Sequence, residues 1–207
     1  MTEFWENAFT KHPKMWGEKP TDNAKNVLDL FLKRNIKEVL VPGFGYGRNA
    51  KVFYESGIAV RGIEISKTAI KRARKYFGDD VIIHHGSVTD MPFDDAQYEA
   101  IYCYSLIHLL DSSERKKLIE DCYTQLKPGG IMVFVALTVK DFRFGVGELV
   151  ENHTFLSPQG LRLYFYDKAA VNKEFGDYNL VEALEINEPE IHPTEKHWMV
   201  VCEKGEV

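Results

Sequence analysis

Three glycines at alternate positions, Gly43, Gly45 and Gly47, separate the apolar run Val39–Val41 from Arg48-Asn49-Ala50, where helical spacing begins. Without Cβ atoms such a turn can take positive φ, and a ligand can lie directly against its peptide planes. The helix start beyond it offers N–H groups that lack intrahelical partners. Gly45-x-Gly47-x-x-Ala50 also fits a dinucleotide fingerprint, and a tight turn with no ligand is the plain alternative. About twenty residues on, Glu64 closes the next apolar run, where a carboxylate can accept hydrogen bonds from both hydroxyls of a ribose. It could equally be an acidic residue at a helix start near Ser66. His108, one helical turn after Tyr104, could act as a base, contact a substrate or be a buried structural imidazole. Glu148, Glu151 and His153 are the reactive groups of a later irregular stretch, and their spacing is too sparse to predict a metal site. Cys103, Cys122 and Cys202 have no paired spacing and read as free thiols in a reducing compartment.

These residues need elements to hold them, and the chain alternates strands and helices. Pro20-Thr21-Asp22 opens a helix carrying Ala24, Val27, Leu28 and Phe31 on one face, ending near Asn35. Strands are expected at Glu38–Val41, Ile58–Ile63, Val81–His84, Tyr98–Cys103 and Ile131–Leu137. Helices run from the glycine loop to about Ser56, from Ser66 to about Phe77, and from a capping box at Asp111-Ser112-Ser113-Glu114 through Leu126. Lys127-Pro128-Gly129-Gly130 stops the last of these and turns into the fifth strand. Apolar strands alternating with amphipathic helices predict a parallel sheet covered on both faces. Thr138–Pro158 reads as an irregular lid loop, and Arg143, Tyr164 and Tyr166 could line a pocket or merely pack. Asp167 caps a short helix to Phe175, after which Val181–Ile186 and His197–Cys202 can pair antiparallel at the sheet edge. The aromatic N-terminal stretch, residues 1–20, is expected to dock on the body, as plain packing or as a flap over a site.

At 207 residues the chain reads as one domain with a single core, and a formal net charge of -5 argues against a nucleic-acid partner. The basic run Lys67–Lys75 reads as a solvated helix face. No apolar run approaches the ~20 residues that cross a bilayer. The expectation is a cytoplasmic protein with no membrane partner, a monomer or weak homodimer.

Val39–Asn49, Gly62–Ser66, Asp90-Met91-Pro92-Phe93, Tyr98–Leu109 and Leu126–Gly130 come in the order and spacing of class I S-adenosylmethionine-dependent methyltransferases. The resemblance covers roughly residues 16–203. It implies an α/β Rossmann-like fold: a seven-stranded, mostly parallel sheet with helices on both faces and a C-terminal antiparallel hairpin. Gly43–Asn49 resembles the small tellurite-resistance-type enzymes, whereas Val41-Pro42 and Val60–Ile70 are similar to thiopurine and thiol methyltransferases. The implied activity is methyl transfer from S-adenosylmethionine, leaving S-adenosylhomocysteine, to a small-molecule acceptor with a soft nucleophile such as a thiol or metalloid oxyanion. The implied cofactor contacts are Trp16, Gly43, Gly45, Gly47, Arg48, Asn49, Glu64, Ile65 on the adenine face, Ser87 and Val88 at its edge, and Tyr104 along the methionine moiety. His108 and His153 are the candidate catalytic residues. Two departures stand out: Ser87 replaces an acidic or amide side chain, and Val41 replaces the usual acidic residue. Rival readings are a nicotinamide-dependent oxidoreductase and an S-adenosylmethionine-binding protein without catalysis.

Overall fold

The structure, a computed structural model, describes residues 2–12, 15–189 and 192–206. The chain divides into two compact units, Met1–Tyr102 and Cys103–Val207. In the first, helix α1 (Thr2–Lys11) and helix α2 (Asp22–Lys33) precede strand β1 (Glu38–Pro42). Helix α3 (Ala50–Glu55), strand β2 (Ala59–Glu64), helix α4 (Lys67–Phe77) and strand β3 (Ile82–His85) follow, and the boundary at Tyr102 falls within β4 (Tyr98–Tyr104). Strand β1 pairs in parallel with β2 and β4, and β2 with β3, because a connection that includes a helix returns the chain to the same end of the sheet. Thr21 starts α2 by accepting from the Ala24 N–H, and Ser66 starts α4 by accepting from the Ala69 N–H. Phe31, Phe53 and Tyr102 stack into the core, and the Tyr102 hydroxyl donates to the Asn23 side chain at 2.9 Å.

The second unit holds a 3-10 turn at Ile107–Leu109, helix α5 (Ser112–Thr124) and strand β5 (Leu126–Leu137). Strands β6 (Glu148–Glu151), β7 (Thr154–Leu156) and β8 (Arg162–Tyr164), helix α6 (Lys168–Phe175), and strands β9 (Leu180–Asn187) and β10 (Lys196–Glu203) complete it. The expected capping box is formed, with Asp111 and Glu114 each accepting from the other's backbone N–H. β10 runs antiparallel to β5 and to β9. The main sheet has the order β3-β2-β1-β4-β5-β10-β9, the expected seven-stranded, mostly parallel sheet with a C-terminal antiparallel hairpin. Among the described residues no helix is long and apolar enough to cross a membrane.

Two expectations are corrected. The stretch from Thr138 to Pro158 is not irregular throughout, since β6 and β7 lie in it and join β8 in a separate antiparallel sheet. A long connection leaves many backbone donors and acceptors to satisfy, and local hairpins satisfy them without other elements. Gly147, which reads as a loop signal, permits that pairing: a Cβ there would lie 2.1 Å from the Leu156 carbonyl oxygen. Lys127–Gly130 does not form a turn but begins β5, held by Gly129 N–H to Lys204 O and Lys204 N–H to Gly130 O. The preceding helix ends at Thr124, consistent with Pro128 disfavouring a helical Lys127. The N-terminal stretch contains a helix, α1, packed against α4; Met1, Pro13 and Lys14 lie outside the described residues.

Candidate active site

In the first unit the carboxyl ends of β1 and β2 meet around Glu64. Phe44 N–H donates to Ile63 O at 2.9 Å, which folds the glycine loop back over β2. The Glu64 side chain is 5% exposed and accepts from the Gly45 N–H at 2.6 Å and the Ser66 N–H at 2.8 Å. Burial pushes its carboxyl above the usual range, opposed by those two N–H donors. A carboxylate offers about four acceptor positions. Two protein donors therefore leave capacity for ligand hydroxyls.

The glycines divide the work. Gly43, Gly45 and Gly47 all have positive φ, at 70°, 57° and 81°. A Cβ on Gly47 would lie 2.3 Å from the Phe77 ring and 2.8 Å from Phe44, so this glycine serves close packing. Among the described residues a Cβ on Gly45 would find only the Phe9 ring within 4 Å, at 3.9 Å. Beside the Glu64 carboxylate, that bare peptide is a cradle a side chain would fill, and it fits a ribose-bearing ligand.

The N-terminal strap is tied to this loop. Glu6 accepts from Ser66 Oγ at 2.6 Å and from the Thr68 N–H and hydroxyl at the start of α4. These hydrogen bonds hold its carboxyl below the usual range. Phe9, Tyr46 and Ala69 form a small core joined by Trp5 and Met15, and Trp16 stacks on Tyr46. Arg48 donates to the Trp16 carbonyl at 2.5 Å, and the Asn49 side chain accepts from the Thr21 N–H at 3.0 Å. Arg48, Asn49 and Trp16 thus fasten the strap to the loop. Ile65 is half-buried, and its carbonyl lies 3.2 Å from His85 Nε2. Ser87 Oγ accepts from the Thr89 N–H and lies 2.7 Å from the Thr89 hydroxyl, so the serine caps its own 3-10 turn, beside buried Val88.

In the second unit His108 and His197 are buried with their rings 6.3 Å apart, and Tyr104 lies 6.1 Å from His197. The Leu137 N–H donates to His108 Nδ1 at 3.4 Å. Arg143 bridges Asp141 at 2.7 Å and Glu195 at 2.8 Å, so it is an ion-pair hub in place of a simple pocket lining. His153 occupies the β6–β7 turn at φ 57°, with Nδ1 3.9 Å from an Asp167 oxygen. Tyr166 is fully buried and donates to Glu174 at 2.7 Å, while Tyr164 lies under the Arg115 guanidinium. Among the described residues no three His, Cys, Asp or Glu side chains group as a metal site.

Sequence reading missed Glu6 and His197. The only signal for His197 was a titratable residue opening the apolar run Trp198–Cys202; nothing local marks Glu6, whose partners are 60 residues away.

Residues 40–134 match the model of a methyltransferase domain. An uncharacterized methyltransferase from Geobacillus sp. (strain WCH70) is 27% identical over 142 residues, 67% of each chain. A probable S-adenosylmethionine-dependent methyltransferase from Mycolicibacterium smegmatis is 27% identical over 112 residues, 54% of this chain and 41% of that one. The crystal structure of 1,6-didemethyltoxoflavin-N1-methyltransferase from Burkholderia thailandensis, with 1,6-didemethyltoxoflavin and S-adenosylhomocysteine bound, superposes with a TM-score of 0.78. It is 14% identical, and the match covers 99% of this chain and 87% of that one. The match of residues 40–134 to a methyltransferase domain favours methyl transfer over the nicotinamide reading that the glycine fingerprint left open.

Proposed function

We propose that the two units serve as one methyltransferase domain, as a monomer or weak homodimer, transferring a methyl group to a small molecule with a soft nucleophile such as a thiol or metalloid oxyanion. The observation that carries the cofactor half is the Glu64 carboxylate against the bare Gly45 peptide. S-adenosylmethionine supplies an electrophilic methyl on a sulfonium. This chain's residues hold and shield it. Glu64 accepts from the ribose hydroxyls, and the peptides of Gly43 and Gly45 lie along the amino-acid side. Ile65 packs on the adenine, with Ser87 and Val88 at its edge. Trp16, Arg48 and Asn49 anchor the strap that covers the loop, and Tyr104 borders the methionine moiety. His108 and His153 belong to the acceptor side, and residues 138–158 act as the lid despite their β-structure.

A small acceptor is supported by the net charge of -5, which disfavours a polyanion, and by the small acceptor bound in the Burkholderia enzyme. In an in-line displacement the protein contributes chiefly alignment and exclusion of water. A thiolate or oxyanion needs no base at the moment of transfer. The test is methyl transfer from S-adenosylmethionine to thiophenols, phenols, amines and tellurite, read as S-adenosylhomocysteine formed. Turnover of thiophenols or tellurite is expected. Turnover of amines and phenols alone would overturn the soft-nucleophile reading.

A further inference from the structure

The polar groups of the second unit hold His108 in one protonation state. Its ring follows β4 in the 3-10 turn, and the last residue of β5, Leu137, donates its N–H to Nδ1. A ring nitrogen that accepts a hydrogen bond carries a lone pair, so a neutral imidazole keeps its proton on Nε2. The antiparallel register sets His197 of β10 opposite Leu137, which brings a second imidazole beside the first. His197 is fully buried, and among the described residues neither ring nitrogen has a hydrogen-bond partner.

The charged groups around the pair engage one another, with one guanidinium, Arg143, holding two carboxylates, Asp141 and Glu195. Glu195 lies 3.6 Å from His197 Nε2, but its carboxylate is held by Arg143. Asp141 accepts from Arg143 and from the Lys196 N–H at 2.8 Å. Strand β8, which also packs on the 3-10 turn, carries Arg162, paired with Glu151, and Tyr164. From α5, Arg115 is paired with Glu174 and donates to the Leu110 carbonyl. Burial, with His197 and Arg143 nearby, holds His108 well below the ordinary histidine range, and burial pushes His197 down to about 3. A general base works best with a pKa near the operating pH.

We propose that His108 is a hydrogen-bond donor to the methyl acceptor through Nε2–H, that His197 and the Leu137 N–H position it in that tautomer, and that neither imidazole takes a proton from the acceptor. This deepens the proposed methyl transfer and rests on it. The S–CH3 bond breaks with its electron pair left on sulfur, the acceptor's lone pair forms the new bond to carbon, and no proton passes to the protein. The acceptor class is narrowed accordingly. It must present a lone pair at neutral pH, as a thiolate or metalloid oxyanion does, together with a second atom that accepts the Nε2–H.

Histidine-selective 1H–15N long-range correlation spectra of the wild-type protein with S-adenosylhomocysteine test the tautomer, the His108 signal being assigned by its loss in H108Q. The Nε2–H pattern, unchanged from pH 5 to 8, is expected. An Nδ1–H pattern, or titration of His108 in that window, would overturn the proposal. Kinetics provide the second arm, with 4-nitrothiophenol as the probe acceptor. Losing one hydrogen bond in H108F should lower kcat/KM about tenfold. H108Q, whose amide N–H reaches the same place but cannot take up a proton, should recover most of it; an equal loss in both variants refutes the donor role. Failure of the methyltransferase reading itself would appear separately, as no calorimetric binding of S-adenosylhomocysteine by the wild type.

Discussion

Replacing Gly45 or Gly47 with alanine should separate ligand binding from packing within one loop. At Gly45 the added methyl meets, among the described residues, only the Phe9 ring, at the ordinary contact distance of 3.9 Å, so the cost to the fold is the left-handed φ of 57°. For a residue with a Cβ that is about 1–2 kcal/mol. With a shift of about 2–4 °C per kcal/mol for a chain of this size, G45A should melt about 2–8 °C lower. At Gly47 the φ of 81° carries a similar cost, and a Cβ 2.3 Å from Phe77 and 2.8 Å from Phe44 adds overpacking. Overpacking costs about 1–3 kcal/mol, so the total is about 2–5 kcal/mol and the melting temperature should fall about 4–20 °C. For binding the order reverses among folded proteins. The Gly45 methyl occupies the face of the peptide beside Glu64, and S-adenosylhomocysteine affinity should fall about tenfold or more, a loss of about 1.4 kcal/mol or more. G47A, measured below its melting temperature, should bind within about threefold of the wild type, or about 0.6 kcal/mol. Calorimetric titration paired with thermal melts reads both quantities. G45A with undiminished affinity, or with the larger melting shift of the two, would refute the division of labour.

Four further outcomes follow from the charged and buried groups. E64A should weaken S-adenosylhomocysteine by about tenfold or more, since a hydrogen bond to a charged group contributes about 1.5–3 kcal/mol. Because Glu64 titrates above its unfolded value of about 4.3, its ionisation withdraws stability as pH rises through the raised pKa, while ribose binding by the carboxylate strengthens over the same window. Wild-type affinity that is flat from pH 4.5 to 7 would contradict this. Glu6 has the opposite sign: its lowered pKa contributes stability above about 4.3 that is lost as pH falls through the folded value. E6A should therefore raise amide exchange across residues 2–11, roughly fivefold for a cap of about 1 kcal/mol. His197, pushed down to about 3, contributes stability above about 6.5 that is lost as pH falls toward the folded value. Urea midpoints at pH 7 and 4.5 should differ less in H197F than in the wild type, and equal differences would count against a neutral buried His197.

The parts of the fold that were legible from sequence rest on short-range rules. Asp111 and Glu114 announce their capping box because both halves lie within one turn, and Thr21, Ser66 and Asp167 cap helices for the same reason. The strands of the sheet were legible as apolar runs bounded by turn residues. The β6–β8 sheet was not, because β6 is exposed throughout and Gly145, Gly147 and Pro158 outweigh its weak alternation. Glu64 and the glycines were legible because strand, loop and helix start are contiguous. The Glu6 cap and the His108–His197 pair were not, because each depends on residues 60 or more positions apart meeting through tertiary packing.

Val41, where most class I methyltransferases carry an acidic residue, shows why charge cannot simply be restored to the loop. Val41 is 5% exposed and pairs with Gly62, a glycine that a Cβ would drive to 2.4 Å from the Phe44 ring. The surroundings of this position are therefore apolar and tightly filled. Glu64 lies two residues beyond Gly62, and with adjacent strands about 4.8 Å apart and a rise of about 3.3 Å per residue the two backbone positions are roughly 8 Å apart. Glu6, brought in by α1, already pushes Glu64 upward. An acid at position 41 would place a second like charge near a carboxylate whose burial disfavours ionisation, and would raise its pKa further. Valine instead leaves Glu64 as the buried carboxylate of this loop, closer to the ionised form in which it accepts from a ribose.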